Sequence, residues 1–196
     1  MGFSKEELQA QYGRTVPDLV GPGLRLLFVG INPGLWTAAT QTHFSYPGNR
    51  FYPALHRAGI TPRPIDPGAG MTDDDRAMFI DLGLGITNVV QRATARADEL
   101  AKEEFVDGGE RLTAFVEEWE PTVVAIAGLG AYRTAFGRPK AKKGLQEDRI
   151  GPAEVWLTGN PSGLNAHETV DTLADQFRTI AIRAGVLEAP SGTLPA

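Results

Sequence analysis

Three asparagines, two in glycine- and proline-rich loops and one near the end of an apolar run, are the residues of this sequence best suited to chemistry. Asn32 lies in Gly30-Ile31-Asn32-Pro33-Gly34-Leu35, Asn88 in Gly85-Ile86-Thr87-Asn88, and Asn160 opens Asn160-Pro161-Ser162-Gly163-Leu164-Asn165. A neutral amide both donates and accepts hydrogen bonds, so it can orient a water or read the edge of a planar ligand. It cannot act as a strong general base. Asn-Pro and Pro-Gly are also ordinary turn formers, and either loop alone would read as a turn. Their joint significance depends on whether the chain brings them together.

The elements needed to do so are visible as buried strands. Residues 24–31 (LRLLFVGI), 85–90 (GITNVV), 122–127 (TVVAIA) and 154–158 (EVWLT) are apolar almost throughout, as strands covered on both faces are. Helices are predicted at 4–11, with Ser4 as cap and Glu7 three residues on, and at 49–57, 72–82, 130–136 and 167–184. A further helical region presents Leu112, Phe115, Val116 and Trp119 on one face and is expected to break near Gly108-Gly109. Segments 32–48, 61–70 and 138–149 read as loops. Strands alternating with helices give an α/β protein with a mainly parallel sheet and helices on both faces. In such sheets ligands bind beyond the carboxyl ends of the strands, where all three asparagines fall. A single domain over 1–187 and a flexible tail over 188–196 are expected.

Composition narrows the chemistry. The 196 residues include no cysteine, which excludes disulfide scaffolds, thiolate nucleophiles, cysteine zinc sites and cysteine-ligated iron–sulfur clusters. No apolar run approaches the roughly 18 residues of a membrane span, and residues 1–14 are too charged for a secretory leader. An intracellular, cytoplasmic protein with no membrane partner is expected. The net charge of −5 argues against a general electrostatic grip on nucleic acid. Acidic residues gather at Asp73 to Asp75, read as a solvated first helical turn and not a metal cluster, and at Glu117 to Glu120. The segment 138–149 is locally basic, with Arg138, Lys140, Lys142, Lys143 and Arg149. No metal site is expected.

Two familiar motifs fail on inspection. Ala127 to Arg133 (AGLGAYR) has two glycines after a strand but Arg133 where a dinucleotide-binding turn needs its third small residue. Ser162 is flanked two residues away by Asn160 and Leu164, so the glycines of a serine nucleophile elbow are missing.

Four motifs, GINPGL at 30–35, the aromatic-then-PGNRFY loop at 44–52, GITNVVQRATARADEL at 85–100 and NPSGLNAH at 160–167, resemble those of the mismatch-specific uracil and thymine DNA glycosylases, the second family of the uracil-DNA glycosylase superfamily. The similarity runs through most of residues 13–185. It implies a three-layer α/β/α sandwich, double-stranded DNA carrying U·G mismatches as partner, no cofactor, a monomer associated with the nucleoid, and hydrolysis of the N-glycosidic bond of a flipped uracil.

The resemblance also distributes roles. Asn32 falls where the family orients the attacking water. Phe44 corresponds to the ring that stacks on the flipped base, Gly30, Ile31, Asn88 and Asn160 belong to the base pocket, and Leu164 is the wedge that fills the vacated stack. Ser162, Gly163, Asn165 and His167 surround the wedge on the DNA side, and Lys140, Lys142 and Lys143 are candidates for phosphate contact. With no acid in motif one, departure of an anionic uracil from an oxocarbenium-like sugar must carry the reaction, aided by positioning and leaving-group stabilisation. Asp98 is a candidate supplementary catalytic or loop-ordering carboxylate, with a solvated helix-cap role as the plain alternative. Where some members have an arginine two residues after the wedge, this chain has Ala166 and then His167, and Thr37 stands where thymine-processing members have alanine. Two rivals predict different behaviour: a damage sensor without catalysis, and a nucleotide-binding α/β module.

Overall fold

The structure is a computed structural model that describes residues 2–189. Its elements run α1 (Lys5–Gln9), β1 (Leu26–Gly30), α2 (Leu35–Thr40), α3 (Phe51–Arg57), α4 (Asp73–Asp81), β2 (Leu84–Asn88), a 3-10 turn (Ala97–Glu99), α5 (Lys102–Trp119), β3 (Val123–Ile126), α6 (Leu129–Ala135), β4 (Gly144–Ile150), β5 (Ala153–Leu157) and α7 (Val170–Arg183). The last residues of the expected tail, 190–196, lie outside the described residues.

The strands form one sheet in the order β2-β1-β3-β5-β4. The first four are mutually parallel and β4 runs antiparallel to β5. Alternation along the strands divides the core in two. Leu26 and Phe28 of β1 and Val123 and Ala125 of β3 pack with Phe51, Leu55 and Phe177 on one face. Leu27, Val29, Val124 and Ile126 pack with Leu112, Val116 and Tyr132 on the other. A fully apolar strand is what such a double burial requires, and the result is the expected α/β/α sandwich.

Three local expectations are corrected. Helix α5 does not break at Gly108-Gly109. A Cβ on Gly108 would stand 2.3 Å from the Val89 carbonyl oxygen and one on Gly109 2.7 Å from that of Ala135, so the two glycines let an unbroken helix press against neighbouring backbone. The basic segment 138–149 is not all loop. It contains β4, a sheet-edge strand whose charged residues suit an edge that must not pair with another chain. The segment 32–48 contains α2, which has no side-chain cap at Gly34 and spans only Leu35–Thr40.

The Asp73 to Asp75 run opens α4 as expected, but Asp75 is buried and not solvated. Burial pushes its carboxyl up. The Thr72 capping box and an ion pair with Arg63 outweigh that and hold it below the usual range. Among the described residues no helix is long and apolar enough to cross a membrane.

Candidate active site

In a sheet of this order the connection from β1 to β2 runs to one side and that from β2 to β3 returns to the other side of β1, so a crevice opens beyond the carboxyl ends of β1 and β3. A pocket of about 440 Å³ lies there. It takes Gly30, Ile31 and Asn32 from the end of β1, Asn88 from β2, Ala127 after β3 and Asn160 after β5, with Thr37 and Phe44 closing one side. The three asparagines that are far apart in sequence therefore share one cavity.

Asn32 is held in a single orientation. Its Nδ2 donates to the Arg92 carbonyl at 2.9 Å, to Thr94 Oγ1 at 2.8 Å and to the Pro33 carbonyl at 3.2 Å. Thr94 spends its own proton on the Arg96 carbonyl at 2.8 Å, so it can only accept from Asn32. All three partners are acceptors, which leaves Asn32 Oδ1 for the pocket. The segment that grips Asn32 is anchored in turn: Arg92 makes a two-pronged ion pair with Glu104 at 2.8 and 3.0 Å, and this guanidinium holds the Glu104 carboxyl down to about 2.

The aromatic wall depends on backbone shape. Phe44 adopts φ +55°, a left-handed conformation that costs a bulky residue roughly 1–3 kcal/mol. Tyr52, buried in α3, fixes the turn by donating from its hydroxyl to the His43 carbonyl at 2.6 Å. Phe44 lies parallel to Phe51, with centroids 4.1 Å apart. A Cβ on Gly30 would stand 2.4 Å from Asn88 Oδ1 and 3.2 Å from Phe44 Cζ, so a glycine is needed for the ring and the amide to meet at the pocket floor. Behind Asn88, Arg111 donates to its carbonyl oxygen.

One rim of the pocket is the 160–165 loop, and its tip is Leu164, 94% exposed. Asn160 Oδ1 accepts from the Ser162 N–H at 3.0 Å, and Ser162 Oγ accepts from the Leu164 N–H at 3.3 Å. Both ends of the Asn165 amide are used inside the loop, Nδ2 donating to the Asn160 carbonyl at 2.9 Å and Oδ1 accepting from the His167 N–H at 3.1 Å. Arg50 clamps the whole turn. Its backbone N–H reaches the Pro161 carbonyl at 2.9 Å, and its guanidinium reaches the carbonyls of Ser162 (3.0 Å), Asn165 (2.9 Å) and Gly163 (3.4 Å). Gly163 permits the approach, since a Cβ there would stand 2.5 Å from the Gly48 carbonyl oxygen.

Beneath this loop lies buried Glu168, which closes on Gly159 so tightly that a Cβ on that glycine would collide with its carboxylate. Burial raises its affinity for a proton. The Lys143 ammonium, Thr172 Oγ1 and Gln176 Nε2 outweigh this and keep the carboxyl below its usual range.

Several sequence candidates stand outside the cavity. Asp98 is exposed in the 3-10 turn and pairs with Arg96; it does not line the pocket, although its neighbour Ala97 does. Lys140, Lys142 and Lys143 line a separate cleft beside β4, and Lys143 is committed to Glu168. His167 is exposed beyond the rim and is not among the lining residues. Sequence reasoning did not single out Arg50 or Asn49, although both stand in the PGNRFY motif, nor Trp36 and Tyr46, which pack edge-on 5.9 Å apart at the pocket wall. His43 is buried beside Phe44, and nothing in its spacing marks it.

The sequence motifs, the sheet order and the pocket agree with a comparison against known families. The model of the Uracil DNA glycosylase superfamily matches residues 17–182, which takes in every residue named around the pocket and its rim. With the match covering most of its length, the chain belongs to the uracil DNA glycosylase superfamily, DNA repair hydrolases that act on DNA as glycosylases.

Proposed function

We propose that this protein is a monofunctional uracil-DNA glycosylase directed to U·G mismatches, which extrudes uracil from the duplex, hydrolyses its N-glycosidic bond and leaves an abasic site. The observation that carries this reading is Leu164, 94% exposed on the lip of the pocket. A leucine left in water is unfavourable by about 1.5–3 kcal/mol relative to burial, a cost that insertion between bases would recover. A mispaired uracil is cheaper to extrude than a paired one, and mismatch preference follows in part from that difference.

Within the pocket the base would stack on Phe44, a contact worth about 1–3 kcal/mol. Backbone groups near Ile31 and Phe44, with Asn88, would meet its edge. Asn32 Oδ1, its amide nitrogen fully committed, would accept a hydrogen bond from the water that attacks C1′. The bond from C1′ to the base nitrogen breaks with its electron pair leaving on uracil, and the water's proton passes to the departing base or to solvent. Among the described residues no carboxylate lines the cavity, so acid–base catalysis by a carboxylate pair is not part of this reading.

The deciding experiment is alkaline strand cleavage of duplexes carrying U·G, U·A or T·G, and of single-stranded uracil DNA, after incubation with the protein. Cleavage fastest for U·G supports the reading, and no cleavage in any of them rules it out in favour of a sensor or nucleotide-binding module. Asn32→Ala should slow base release by about 100- to 1,000-fold with duplex binding largely kept.

A further inference from the structure

His43 is buried against the pocket wall, yet no step above uses it. Its two ring nitrogens have different partners. Nε2 lies 2.9 Å from the Pro17 carbonyl oxygen and Nδ1 lies 2.9 Å from Asn88 Nδ2. A carbonyl can only accept, so Nε2 must carry a proton. Desolvation lowers the affinity of the ring for a second proton and outweighs the opposing effects of the Pro17 bond and Asp18, with nearby Arg76 adding a still smaller lowering. The ring is therefore neutral, and Nδ1 has a lone pair that only an N–H can meet.

This removes the usual freedom of a buried amide. Asn88 must turn Nδ2 toward His43, which sends Oδ1 the other way, into the space over Gly30 beside the Phe44 ring. Among the described residues no donor reaches Asn88 Oδ1, and the residue lines the pocket. An unmet acceptor at that position prefers a ligand with an N–H to give. The imide N3–H of uracil or thymine supplies one, whereas N3 of cytosine brings a lone pair against a lone pair.

We propose that His43 is a positioning residue: held in its Nε2–H form by the Pro17 carbonyl, it fixes the Asn88 amide so that Oδ1, and not Nδ2, faces the pocket and meets the base edge. What that oxygen does to a bound base rests on the glycosylase reading; the amide orientation does not. The geometry makes the side chain before the stacking ring a determinant of which base edge is read, although it touches no substrate.

The test pairs a spectrum with a substrate change. Imidazole nitrogen NMR of the intact protein at neutral pH should show His43 protonated at Nε2 and pyridine-like at Nδ1; the reverse pattern would overturn the relay whether or not the protein is active. Single-turnover base release is then compared for U·G duplexes containing uracil or N3-methyluracil. Loss of the N3–H should slow the wild type by about 10- to 100-fold, the usual consequence of leaving one buried group unpaired. His43→Gln keeps a donor near Nε2 but offers no acceptor near Nδ1, so it should slow uracil release and narrow the gap between the two bases. His43→Asn places a carbonyl oxygen near the Nδ1 position and should restore part of the gap, at a similar melting temperature. Equal gaps in all three proteins would reduce His43 to packing and overturn the proposal. If the wild type released no uracil from any duplex, the glycosylase reading would fall and the base selection with it, and the spectrum alone would decide the amide orientation.

Discussion

Thr37 shows how much one methyl group can be made to decide. It is buried in the wall of the pocket, one turn into α2, and its Cβ substituents narrow the space available to a pyrimidine. Uracil and thymine differ by a methyl at C5, a difference worth only about 1–3 kcal/mol to a pocket of fixed shape. Thr37→Ala should therefore raise T·G processing relative to U·G by about 10- to 100-fold in single-turnover assays, with U·G itself little changed. An unaltered ratio would show that the methyl is excluded elsewhere. Asn32 makes a different point at the same scale: its usefulness comes from three acceptors that consume its nitrogen, so the pocket meets only its oxygen.

At the scale of elements, the rim loop is an ordered turn and not a floppy arm. Arg50, just before α3, ties three of its carbonyls to one guanidinium, and Glu168, just before α7, supports it from beneath Gly159. Arg50→Ala should leave the melting temperature within a few degrees, because the site is partly exposed, yet raise amide exchange across 160–167 and slow uracil release by about tenfold. Unchanged exchange in that loop would show that the clamp is dispensable. Glu168 is expected to reveal itself through pH. Its folded carboxyl sits below its ordinary value of 4.5, so its ion pair stabilises the protein above that pH and is lost as pH falls through the lowered value. Glu168→Gln should be less stable than wild type by on the order of 1–3 kcal/mol at pH 7 and converge with it once pH has fallen below the lowered value. A gap independent of pH would assign the loss to packing.

For the whole molecule, the question is how an acidic protein holds a polyanion. Of the cations between 138 and 149, Arg138 pairs with Asp148, Lys143 with Glu168 and Arg149 with Glu154. Lys140 and Lys142 are in no ion pair among the described residues, and they sit in a cleft apart from the pocket. Affinity should thus lean on few phosphate contacts. The double variant Lys140→Gln, Lys142→Gln is expected to lower the slope of log affinity against log salt by about 1–2, with the preference for a mismatch intact. An identical slope would place this cleft away from the DNA. Specificity then stays with Leu164 and the pocket, consistent with a molecule whose net charge is −5.

The layers of the fold were legible because burial on both faces leaves a signature in composition: strands β1 and β3 are apolar throughout, β2 and β5 nearly so, and parallel order follows from the helices between them. The three asparagines were legible because turn residues after strands mark the carboxyl edge of such a sheet. The edge strand β4 was hidden by its charges, and the unbroken α5 by two glycines whose close contacts with Val89 and Ala135 cannot be read from local propensity. Asp98 illustrates the converse, since its residue type made it a candidate and its position sets it outside the pocket. Local pattern and composition were enough for the layered sheet, the absence of thiol chemistry and which amides face the crevice. Which way those amides point follows from contacts across the fold, because orientation is set by partners such as Pro17, His43 and Thr94, which come from other parts of the chain and leave no mark on local pattern.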